Sequence, residues 1–110
     1  MRKRKNKKIS EECFNLNYEL IKWLNEHLKV YLEEANKIVN LEYDKYKYRG
    51  KECNFKELLE KLINITDNLL IDDEYVSWNY EENIKIAKRQ EALKNSMYDI
   101  LKLIHWGLWW

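Results

Sequence analysis

Proline is absent from this chain of 110 residues, and glycine occurs only at Gly50 and Gly107. These two residue types end helices and make tight turns. Their scarcity excludes a turn-rich β-sandwich or barrel and favours a few long helices. Cysteine is nearly as sparse. Cys13 and Cys53 are too few for a disulfide scaffold, so two reduced thiols in a cytoplasmic protein are expected. No run of about 18 apolar residues is present to cross a bilayer. The basic start of the chain meets Ser10, Glu11 and Glu12 at once, where a secretory signal would need an apolar segment.

What is present describes a folded domain. A hydrophobic fraction of 45% is too high for a disordered chain, although 35% of residues are charged. The length suffices for one core without metal or disulfide staples. The heavy use of Lys, Asn, Ile, Tyr and Glu also bears the mark of an AT-rich genome. The net charge of +1 hides a division: Arg2, Lys3, Arg4, Lys5, Lys7 and Lys8 contribute +6, which leaves −5 on the rest. Residues 1–9 therefore read as a mobile basic arm, too self-repelling to fold alone, on a single acidic helical domain over 10–110.

Three helices are legible in the apolar spacing. Ser10 caps the first, Glu11 and Glu12 favour its positive end, and Ile9 with Phe14 matches a hydrophobic staple. Its stripe runs through Phe14, Tyr18, Ile21, Leu24, Leu28, Tyr31, Leu32, Ala35, Ile38 and Val39, predicting a helix into the low forties. Leu16, Leu20, Trp23 and Val30 lie off that stripe, which predicts two packing neighbours for this helix. Tyr43, Tyr46 and Tyr48 alternate with Asp44, Lys45, Lys47 and Arg49. Of the two readings, an extended connection or a continued helix, we favour a helix ending near Arg49 with Gly50 as its left-handed cap.

Asn54 and Glu57 form a capping box for a second helix bearing Phe55, Leu58, Leu59, Leu62, Ile63, Ile65, Thr66, Leu69 and Leu70. Asn79 and Glu82 offer another for a third helix, which carries Ile86, Gln90, Leu93, Met97, Ile100, Leu101, Ile104 and Leu108. The fold expected is all-α: a three-helix antiparallel bundle with two long helices and a shorter middle one. At lengths of about 35, 16 and 28 residues, the middle helix cannot cover both others, so a homodimer is expected to complete the bundle.

Catalytic constellations are missing. His27 sits at the edge of the first apolar stripe and His105 in the tryptophan tail. With Cys13 and Cys53 they match no zinc spacing, and no metal or cofactor is expected. Helical nucleotide pyrophosphohydrolases hold magnesium through an E-x-x-E pair on one helix and an E-x-x-D pair on the next. Glu57 and Glu60 supply an E-x-x-E, and Glu33 with Glu34 precedes it, but no E-x-x-D exists. Glycine-rich phosphate loops and nucleophile elbows are absent too. The chain reads as a non-enzyme.

The aromatic C-terminus carries the leading functional expectation. Three of the five tryptophans lie in His105, Trp106, Gly107, Leu108, Trp109 and Trp110. Such a cluster must be buried by the molecule's own core, a second copy, another protein or a membrane surface, and tryptophan is enriched at interface hot spots. His105, Trp106, Leu108, Trp109 and Trp110 are thus the candidate partner-binding residues of a protein-binding module. Small size, AT-rich composition and lack of catalytic motifs fit a phage-type accessory protein or inhibitor. Two alternatives stand beside it. One is nucleic-acid binding through Arg2, Lys3, Arg4, Lys5, Lys7, Lys8 and Arg49. The other is an immunity-type helical bundle whose aromatic end touches a membrane surface.

Overall fold

The middle helix organises the molecule. The computed structural model describes residues 16–73 and 79–108. In order these form α1 (Leu16–Ile38), β1 (Lys45–Tyr48), β2 (Lys51–Asn54), α2 (Phe55–Asp73) and α3 (Tyr80–Ile104), followed by a 3-10 turn (His105–Gly107). α2 buries Phe55, Leu58, Leu59, Leu62, Ile65, Thr66 and Leu69, a spacing that covers well over half its circumference. It packs against both α1 and α3. The three helices form a slab whose extents are 47 × 44 × 20 Å.

Helix starts follow the capping chemistry. The Glu57 amide donates to Asn54 Oδ1 at 2.8 Å, and the Asn54 amide to Glu57 Oε1 at 3.3 Å. This reciprocal pair satisfies donors that the first turn of α2 would otherwise leave open. The Phe55 and Lys56 amides donate to the carbonyls of Asp44 and Leu41 at 3.1 and 3.0 Å. Asn79 caps α3, accepting from the amides of Glu81 and Glu82 at 2.9 and 3.3 Å. The start expected for α1 at Ser10 lies outside the described residues, as do Phe14 and Cys13.

The main departure from expectation lies between residues 39 and 54. α1 stops at Ile38 and does not reach Arg49, and Gly50 caps no helix. Asn40 ends the helical run by turning on itself: its Oδ1 accepts from the Glu42 amide at 3.0 Å and its carbonyl from the Tyr43 amide at 3.3 Å. Asparagine offers the backbone this local alternative to a helix. β1 and β2 then pair antiparallel, with Tyr46 opposite Cys53 and Tyr48 opposite Lys51. Arg49 (φ 51°) and Gly50 (φ 77°) form the turn, and positive φ at both central residues is what a two-residue type I′ hairpin needs. Tyr46, Tyr48 and Cys53 face inward while Lys47 and Glu52 pair on the outside. The fold is therefore helical with a β-hairpin, not purely α.

Helix lengths differ as a result. α1, α2 and α3 have 23, 19 and 25 residues, so the middle helix is less outmatched than the spacing suggested. The hairpin closes the base of the bundle. Arg49 Nη2 donates to Ser96 Oγ on α3 at 2.6 Å, and its guanidinium lies 5.2 Å from the Tyr48 ring centroid. Inside the bundle, buried Asn25 directs Nδ2 at Thr66 Oγ1 (2.8 Å) and Asp67 Oδ1 (2.9 Å). This polar link fixes the register of α1 on α2, since an unpartnered buried amide would be costly.

Candidate protein-binding surface

Two exposed apolar features stand out, one on α1 and one at the C-terminal end of the described chain. On α1 the residues that bury against α2 are Ile21, Asn25, Leu28 and Ala35. Leu16, Leu20, Trp23 and Val30 all project away from that line, with Trp23 57% exposed. The second neighbour expected for this side of α1 is supplied in part by α3. Leu20, Trp23 and Leu24 face Met97, Tyr98 and Leu101 across an apolar hollow of about 240 Å³. A second hollow of about 400 Å³ continues along α1, between Trp23, His27, Val30, Tyr31 and the C-terminal Leu108. Together they make one open furrow with Trp23 and Leu24 at its middle.

The His27 ring stacks on Trp23 with centroids 3.9 Å apart. Its Nδ1 lies 2.7 Å from the Trp23 carbonyl oxygen. A carbonyl only accepts, so Nδ1 is the protonated nitrogen. His27 is thus a surface residue braced against an exposed indole. Among the described residues no three His, Cys, Asp or Glu side chains come together as a metal site would require. Glu57 serves the helix cap, Glu60 is exposed, and Glu34 pairs with Lys37 at 3.6 Å.

The C-terminal turn is firmly seated. α3 ends at Ile104, which is fully buried, and the chain tightens into the 3-10 turn. Tyr31 Oη donates to the Gly107 carbonyl at 3.1 Å, tying the turn to α1. A Cβ on Gly107 would lie 2.9 Å from Phe55 Cε2, so glycine lets the turn close down on the ring. Leu108 is half-buried, continuing the stripe of Met97, Ile100 and Ile104. Trp106 points outward and is 83% exposed, with His105 edge-on to it at 5.3 Å. Of the five candidate partner-binding residues, His105 and Trp106 are exposed and Leu108 forms a furrow wall; Trp109 and Trp110 lie outside the described residues.

Of the candidate anion-binding residues, Arg2, Lys3, Arg4, Lys5, Lys7 and Lys8 also lie outside them, while Arg49 is engaged with Ser96. Burial pushes the Tyr31 phenol above its ordinary pKa, and the neighbouring Tyr46 adds to the effect. Tyr46 is raised by burial first and by Asp44 second. No helix among the described residues is long and apolar enough to cross a membrane. The α1 residues Leu16, Leu20, Trp23 and Val30 are the functional candidates that stripe analysis passed over. Their signal was in the sequence as a second apolar line, read there as burial. No known family matches the chain, and neither curated proteins nor solved structures show a match.

Proposed function

We propose that this protein is a non-catalytic helical module, its three helices alternating in direction, that docks on a larger protein in the manner of a small accessory protein or inhibitor. One observation supports this above the rest. Trp106 is 83% exposed on a turn that Tyr31 and Phe55 hold in place. A large aromatic ring presented on a rigid support loses little conformational entropy on docking, which is why tryptophan dominates interface energetics. His105 beside it supplies a polar rim, and Leu108 joins the anchor to the furrow.

The test compares tagged wild-type protein with Trp106→Ala as baits in extracts of its own cells, with Tyr43→Ala as a control for an exposed aromatic (80% exposed). A protein retained in stoichiometric amount by wild type and by Tyr43→Ala, but lost with Trp106→Ala, is the expected result. Equal retention by all three removes Trp106 from the role. The nucleic-acid alternative now rests on Arg2, Lys3, Arg4, Lys5, Lys7 and Lys8, since Arg49 is held to Ser96. Salt-sensitive binding to single-stranded DNA that vanishes on deleting residues 1–8 would favour it.

A further inference from the structure

The outer line of α1 has a property that a generic sticky face lacks. Leu16, Leu20, Trp23, His27 and Val30 follow one another at steps of four, three, four and three residues. That alternation is the seam of a coiled coil, and it asks for another helix laid along it. Along one flank of the seam the charges read Glu19, Lys22, Glu26, Lys29 and Glu33, and all five are solvent-facing or partly so. Reversed end to end, this alternation of sign is unchanged. A helix with such a flank is complementary to an antiparallel copy of itself.

We propose that the furrow between α1 and α3 is the interface of a homodimer. In it, α1 of each copy lies antiparallel to the other about a twofold axis near Trp23 and Leu24. Under this axis Trp23 meets its own mate, Leu20 faces the partner's His27, and Leu16 faces the partner's Val30. On the flank Lys22 comes opposite the partner's Glu26, and the twofold repeats the pair. The same placement directs the partner's Leu20 towards the hollow between His27, Val30 and Leu108, which nothing in the described chain fills. Self-complementarity is what a twofold interface requires, because each patch must bind its own image. The inference stands apart from the Trp106 proposal, since that ring lies on the 3-10 turn and not on the seam.

Sedimentation equilibrium on the full chain, over a concentration series, tests it. The wild type should have twice the mass of the single chain. Trp23→Glu should raise the dissociation constant by roughly 30-fold or more, the loss expected of a central aromatic anchor. Leu20→Lys provides a second seam variant should the first misfold, with far-UV circular dichroism confirming the fold of each. Lys22→Glu alone, or Glu26→Lys alone, should weaken the dimer about fivefold, and the two together should restore it.

A monomeric wild type overturns the proposal; if Trp23 fluorescence then also proves shielded from quenchers, a segment of the same chain covers the seam instead. A dimer unmoved by Trp23→Glu and Leu20→Lys overturns it as well, by placing the interface elsewhere. Trp106→Ala should leave the dimer intact, so failure of the docking reading and failure of this one give different results.

Discussion

A single hydrogen atom decides the fate of position 107. The Gly107 Cα lies so close to the Phe55 ring that a methyl group there must displace a buried aromatic edge. Gly107→Ala should therefore lose about 1–2 kcal/mol in urea unfolding with an unchanged m-value, overpacking outweighing the entropy gained by restricting the unfolded chain. The two raised tyrosines give a second test. Both Tyr31 and Tyr46 hold their protons more tightly folded than unfolded. Their contribution is fully present below the ordinary phenol value of about 10 and is lost as pH rises through the raised folded values. Stability should thus fall above pH ~10, and Tyr46→Phe should make that fall shallower.

Among the elements, the hairpin is where residue pattern and local propensity part company. α2 and α3 were legible almost to the residue, because Asn54, Glu57 and Asn79 are capping residues whose chemistry acts within one turn. Residues 43–49 were not. Their alternation has the period of a strand, but basic residues followed by glycine also describe a helix end, and only the partner strand resolves the two. That partner, residues 51–54, is four residues long and carries one inward apolar side chain, Cys53, too little to announce a strand unaided. Gly50 marks the difference between the readings. At φ 77° with nothing within 4 Å of a notional Cβ, its role is conformational. Gly50→Ala should cost about 1–2 kcal/mol in thermal or urea unfolding through backbone strain alone, with no steric component. Because hairpin carbonyls satisfy the first amides of α2, that strain should also loosen the start of the helix, seen as faster amide exchange at Phe55 and Lys56.

At the scale of the molecule, three helices leave an open furrow on the side of α1 and α3 away from the core. The sequence made the surplus of apolar surface visible but not its location. The tryptophan-rich end drew attention first, whereas the longest unpartnered line is on α1. Periodicity alone cannot say which of two apolar stripes on one helix meets the core; the Asn25 contacts with Thr66 and Asp67 do. Asn25→Ala should accordingly destabilise the fold by about 1–3 kcal/mol, leaving Thr66 and Asp67 short of a donor, in urea unfolding monitored by circular dichroism. Finally, the thiol of Cys53 is sealed beneath the hairpin as a free sulfhydryl. In a Cys13→Ser background it becomes a built-in clock: its alkylation can proceed only when the two strands lift, so the labelling rate times that excursion without any probe being added to the protein.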